Sequence, residues 1–252
     1  YRLAFLSGPE LARDCGVSVS AITRFAQKLG YGGFPELKKA LEGQYRKTTT
    51  PYEMFQSFAE KRHRKPVAEL SLDQDLENLS RMRSGLEPGA LQAAVALLAR
   101  APRVHLAAIG SAEILVDKLS ALLHALEKPV NSLKSCGITR VAEATDFVPG
   151  ELLVGFSFQR VLKEVPELFR QVKPLGVKTL AVTDSPVNPL ALEADLTLVA
   201  PVIGTTFGLS LVAPLALVNV LANSLAALHP KKSLKALEKA KQAWEKYPIF
   251  CE

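Results

Sequence analysis

LARDCGVSVSAITRFAQKL, residues Leu11–Leu29, has the spacing of two short helices that cross at a tight turn. Small Ala12, Gly16 four residues on, then Val17 and Ile22 supply a close contact, a turn and a shared core, with Leu11, Cys15 and Phe25 closing that core from both sides. Ser18 stands where its hydroxyl can accept a backbone N–H left unpaired by the first turn of the second helix. The exposed face of that helix is then Val19, Ser20, Thr23, Arg24 and Gln27. In a helix-turn-helix these positions face the major groove: Arg24 and Gln27 suit guanine and adenine, Ser20 and Thr23 suit bases or phosphates, and Ser18 and Lys28 suit the backbone.

Charge points the same way. Residues 1–66 hold twelve Lys or Arg against six Asp or Glu, whereas residues 67–252 hold nineteen of each, so the whole net charge of +6 lies beside the motif. A basic module of this kind gains affinity for a phosphate backbone by releasing counterions. The neutral remainder needs another role.

At 252 residues, 48% hydrophobic and 22% charged, the composition is that of a globular chain long enough for one small and one larger domain. Cys15, Cys136 and Cys251 are far apart, and His63, His105, His124 and His229 lack ligand spacing, so neither a disulfide framework nor a metal site is expected. A cytoplasmic location is expected, with an N-terminus either trimmed or disordered before Tyr1. Leu196–Pro230 carries no Asp, Glu, Lys or Arg, but Pro201, Gly204, Gly208, Pro214, Asn219 and Asn223 interrupt it. It reads as a strand end and loop, then a buried helix from about Gly208 to Leu228, and not as a membrane span.

Between these landmarks, Gly30–Gly33 ends the second helix and Phe34–Tyr45 forms another, with Pro35 in its first turn. Lys61–Pro66, KRHRKP, reads as a solvated linker, with phosphate contact as the alternative, and helical spacing follows at Leu70–Met82 and Pro88–Ala101. The period then changes. Val104–Ile109 is an apolar run ending in Gly110-Ser111, followed by helical Ala112–Leu126. Leu152–Phe156 leads to Ser157 and a helix from about Lys163, Val177–Val182 leads to Thr183-Asp184-Ser185-Pro186, and Leu196–Ala200 leads to the buried helix. Repeated βα units predict a parallel sheet whose ligands sit at the carboxyl ends of its strands. Gly110-Ser111, Ser157–Arg160 and Thr183–Ser185 fall on that edge.

The residues ELARDCGVSVSAITRFAQKLGYGGFPELKKAL, then IGSAEILVDKL, SFQRVLKEV and AVTDSPVNPLALEADLTL, resemble the RpiR or MurR type of bacterial transcriptional regulator. The resemblance implies a small all-α helix-turn-helix domain followed by a sugar isomerase (SIS) α/β domain, a parallel sheet flanked by helices. The domains fall at residues 1–50, a linker and connecting helix at 51–85, and the SIS-type sensing and oligomerisation domain at 86–252. Phosphosugar-binding SIS domains typically carry a Ser-x-Ser-Gly-x-Thr loop. Here Ser157 is retained, and Gln159, Arg160 and Leu162 replace the second Ser, the Gly and the Thr. Arg160 either substitutes a planar charged donor set for the lost hydroxyls or pairs with a carboxylate across a subunit contact.

A sugar isomerase would need a base placed to move a proton between adjacent carbons. His105 lies inside an apolar run, where a core role fits better, and Glu164 reads as part of an ordinary helix face. The expectation is therefore a regulator without catalytic residues, metal or cofactor. It binds a double-stranded operator as a homodimer or homotetramer, and a phosphosugar or related anion at Gly110, Ser111, Ser157, Gln159 and Arg160 tunes that binding. A sugar-phosphate isomerase, or a SIS domain that only oligomerises, are the alternatives.

Overall fold

A computed structural model describes residues 6–48, 50–60, 65–134 and 147–246. Of the residues considered above, Cys136, Cys251 and the Lys61–Arg64 part of the basic linker lie outside them. The chain divides into two units, residues 1–62 and 63–252.

The first unit is helical. In α1 (Gly8–Cys15), Ser7 and Glu10 form a reciprocal capping box, and Gly16 ends the helix at φ 66°, a left-handed conformation that glycine adopts without steric cost. That reversal lets α2 (Val19–Lys28) start three residues later, with the Ser18 hydroxyl accepting the Ala21 N–H at 3.2 Å. α3 (Phe34–Thr48) follows. Then comes α4 (Pro51–Ala59), capped by Thr50 with Glu53. α4 is additional to the sequence expectation, although Thr50-Pro51-x-Glu53 is a legible start signal.

The core of this unit is Leu6, Leu11, Ala12, Ile22, Ala26, Phe34 and Leu37. This corrects the expected core: Leu11, Ala12 and Ile22 are buried, but Cys15 is exposed, Val17 is 45% exposed and Phe25 is 55% exposed. The contact line of α2 runs through Ile22 and Ala26, one helical turn apart. Phe25 stands about 100° round the helix from Ala26 and so faces outward.

The second unit is a five-stranded, wholly parallel sheet in the order β2-β1-β3-β4-β5. Its strands are β1 (Val104–Ala107), β2 (Val130–Leu133), β3 (Leu152–Ser157), β4 (Lys178–Thr183) and β5 (Leu196–Val199). Each has the buried pattern of a central strand except the edge strands β2 and β5. β2 escapes sequence analysis because VNSL lacks the continuous apolar run that two-sided burial imposes.

Side chains alternate across the sheet. Leu106, Val154, Phe156, Val182 and Leu198 share a core with α6 (Pro88–Arg100), α7 (Glu113–Ala125) and α10 (Val212–Leu228). Ala107, Leu153 and Ala181 share the opposite core with α8 (Glu164–Val172) and with Leu190 of α9 (Pro189–Glu193). On that second face Phe169 packs so closely on β3 that a Cβ at Gly155 would lie 2.6 Å from its ring.

α5 (Val67–Gly85) packs against α10 and is tied to the loop before it: fully buried Asn78 donates Nδ2 to the Ile203 carbonyl at 2.8 Å. Seven residues of α10 are buried, and among the described residues no single helix is long and apolar enough to cross a membrane. A last helix, α11 (Pro230–Lys246), is additional to the sequence expectation.

Candidate DNA-binding face and effector cleft

On α2, Val19, Ser20, Arg24, Gln27 and Lys28 are exposed, and Thr23 is half-buried. Arg24 and Gln27, three residues apart, lie on one side of the helix, opposite the buried Ile22–Ala26 line. The Thr23 hydroxyl donates to the Val19 carbonyl at 3.2 Å, so within the helix its proton is spent and its lone pairs remain for a donor. Ser18 and Ser20 share a hydroxyl contact at 2.9 Å. The cap therefore rigidifies the end of α2 that carries Val19 and Ser20.

In the second unit the strand order sets the site. The chain steps from β1 to β2 on one side and to β3, β4 and β5 on the other, so the direction of winding reverses between β1 and β3. At such a switch point the loops leaving two adjacent parallel strands diverge and open a crevice at their carboxyl ends. Gly110-Ser111 follows β1, Ser157 ends β3 with Phe158–Arg160 following it, and Ala107 is level with Gly155 in the sheet. The fold thus brings these two segments to the two sides of one crevice. Thr183, paired with Ser157, ends the next strand.

The donors are unequal. Ser111 and Arg160 are exposed and Ser157 is half-buried. The Gly110 N–H is taken by Glu113 Oε1 at 2.8 Å, and the Gln159 N–H by Asp184 Oδ2 at 3.2 Å. Gln159 is buried with φ 47°, a left-handed conformation uncommon for a residue other than glycine. In the resembled loop a glycine stands one position later, so sequence alone does not place the reversal at Gln159. Glu164 begins α8 beside this loop.

His105 is remote from the crevice. It is the second residue of β1, fully buried, and its Nε2 lies 2.8 Å from Glu151 Oε2 just before β3, at the amino edge of the sheet. Its ring packs on Phe147 at 4.1 Å between centroids. Arg103 adds a longer approach to Glu151 at 3.7 Å. Among the described residues no group of three His, Cys, Asp or Glu side chains could hold a metal ion.

A capped helix-turn-helix with a basic balance is thus carried on the same chain as a parallel sheet whose winding reverses between β1 and β3. Residues 3–48 match the model of the helix-turn-helix domain of the rpiR family, and residues 97–224, half of the chain, match that of the SIS domain. The chain belongs to the RpiR type of SIS-domain transcription regulators.

The sugar isomerase domain of an RpiR transcription factor from Sphaerobacter thermophilus is similar over 71% of this chain and 99% of its own, at 29% identity and TM-score 0.68. The Vibrio vulnificus NanR protein, solved with ManNAc-6P, is similar over 99% of this chain and 89% of its own, at 20% identity and TM-score 0.65.

Proposed function

We propose that the protein is a non-enzymatic, metabolite-responsive regulator whose operator affinity is set by a small anion, a phosphosugar or close relative, bound in the crevice between β1 and β3. The observation that carries this reading is the strand order, which puts the segments bearing Ser111, Ser157 and Arg160 at the carboxyl ends of the adjacent strands β1 and β3. Ser111 and Ser157 offer hydroxyl donors, and Arg160 offers a fork that suits phosphate or carboxylate. Gly110 and Gln159, whose N–H groups serve Glu113 and Asp184, shape the walls. NanR, solved with ManNAc-6P, shares the fold, which supports a phosphorylated sugar as the class to try first.

At the other unit, Arg24 and Gln27 read base edges, Val19, Ser20 and Thr23 pack against bases or phosphates, and Ser18 and Lys28 position the backbone. Two chains, or two pairs, place their recognition helices in successive major grooves of a roughly palindromic operator. A ligand that prefers one arrangement of the heads shifts the population toward it by its differential affinity. The burial of His105 at the far edge removes one candidate base from the crevice, which favours sensing over isomerisation.

The test is a thermal-shift screen of the chain against hexose and pentose phosphates, ManNAc-6P included, with inorganic phosphate as reference. A ligand confined to the folded state raises apparent stability by an amount set by its concentration over Kd. A saturable shift, with altered operator binding at the same concentrations, is expected. No shift across the panel overturns the sensor and favours a domain that only oligomerises.

A further inference from the structure

The turn that carries Ser157 and Arg160 is held by the segment leaving the neighbouring strand. Asp184, the residue after β4, accepts the Gln159 backbone N–H at Oδ2 at 3.2 Å. Its Oδ1 accepts Asn188 Nδ2 at 2.9 Å and the Thr183 hydroxyl at 3.2 Å. The Asn188 amide also reaches the Ser157 carbonyl at 3.4 Å, while its Oδ1 caps α9 by accepting the Leu190 N–H at 2.9 Å. Asn188 is fully buried and Asp184 is 7% exposed. One pair of side chains therefore ties the end of β3, the left-handed residue after it and the start of α9.

Asp184 is the wrong charge for direct contact with an anion. A carboxylate offers acceptors only, and it repels phosphate at short range. Its value beside an anion-binding turn lies in the backbone it holds. Gln159 at φ 47° is strained relative to glycine, and such a conformation persists only where the surroundings over-determine it. The Asp184 acceptor on the Gln159 N–H supplies that determination.

We propose that Asp184 and Asn188 are positioning residues of the effector site, a clamp that fixes the Ser157–Arg160 turn and so sets ligand affinity without touching the ligand. The inference rests on the effector reading above. It adds two residues outside the loop that would otherwise be assigned to the fold alone.

The decisive experiment exchanges the pair. In Asp184→Asn one of the two acceptor oxygens is lost, so Gln159 and Asn188 can no longer both be served. In Asn188→Asp two carboxylates face each other. In the double exchange, the new amide at 184 accepts Gln159 with its oxygen and donates to the new carboxylate at 188, whose second oxygen still caps α9. The contact to the Ser157 carbonyl is lost, and the Thr183 hydroxyl loses its acceptor at residue 184. Binding is measured on the full chain with inorganic phosphate and a panel of hexose and pentose phosphates, together with amide hydrogen exchange over residues 157–160 and a melting curve for each variant.

Each single exchange is expected to weaken the tightest probe by about tenfold or more and to speed exchange of the Gln159 amide, and the double is expected to return within about threefold of wild type. General damage to the fold predicts the opposite order, with the double worse than either single. Wild-type affinity in both single variants, or a double no better than the worse single, overturns the inference. A wild-type chain that binds no probe overturns the effector reading beneath it. In that event an unchanged Gln159 exchange rate in Asp184→Asn still overturns the clamp itself.

Discussion

Replacing Gly155 with alanine tests whether the packing of α8 on β3 is as tight as the geometry requires. The added Cβ would lie 2.6 Å and 2.7 Å from two Phe169 ring carbons and 3.1 Å from Val165 Cγ1. Carbon atoms rest at about 3.5–4.0 Å, so the Phe169 ring must retreat by roughly 1 Å. It has little room, since Phe169 is fully buried among Leu168, Val172 and Leu190 in the core on that face. Overpacking of this kind costs about 1–3 kcal/mol, offset by about 0.5–1 kcal/mol for the reduced backbone freedom of alanine relative to glycine. A net loss of about 1–2 kcal/mol is expected, which lowers the melting temperature of the second unit by roughly 3–6 °C. Thermal melts followed by circular dichroism measure it. Phe169→Leu should make the same change cheaper, with a coupling of about 1 kcal/mol in the double-mutant cycle. A Gly155→Ala protein that melts at or above the wild-type temperature, with no coupling to residue 169, would refute the account of this layer.

Other outcomes follow from the remaining sites. Arg24→Ala should weaken binding to the specific operator by about 1–3 kcal/mol and relax sequence choice, as read by competition against shuffled DNA; unchanged operator affinity removes Arg24 from base readout. Lys28→Ala should weaken specific and nonspecific DNA alike and reduce the salt slope by about one, measured by titrating binding across salt concentrations. Arg160→Ala should abolish the thermal shift by sugar phosphates while leaving DNA affinity within experimental error, and a retained shift displaces the effector from this crevice. Asn78→Ala leaves the Ile203 carbonyl without its buried donor and should cost about 1–3 kcal/mol in a denaturant melt, whereas a neutral result would show that the tie between α5 and the loop is dispensable.

Much of this architecture is written in short-range signals. Ser7 with Glu10, Gly16 and Ser18 announce the ends of α1 and α2 because capping involves residues two to four apart. The alternation of apolar runs with glycine- or serine-marked turns announces the βα units, because a strand buried on both faces has to be continuously apolar. Net positive charge confined to residues 1–66, and the placement of Ser111, Ser157 and Arg160 at or after strand ends, are legible for the same reason. α4 is legible too, through Thr50 and Glu53, but its apolar face buries no residue, so periodicity gives little support to its cap.

Other features depend on contacts that local patterns do not encode. Ala26 and not Phe25 lies in the helix crossing because Phe34 and Leu37 of α3 choose which side of α2 is covered, and a step of one residue rotates a helix by about 100°. Strand order is equally silent in the chain: β2-β1-β3-β4-β5 creates the crevice, and that pairing is between segments tens of residues apart. His105 meets Glu151 across 46 positions, and Asp184 meets Gln159 across 25. The sequence by itself determined most of the elements, β2 and α11 apart, since caps, turns and burial periods act within a few residues. Tertiary structure alone decided which of their side chains meet, since buried hydrogen bonds and close packing are satisfied across the whole chain at once.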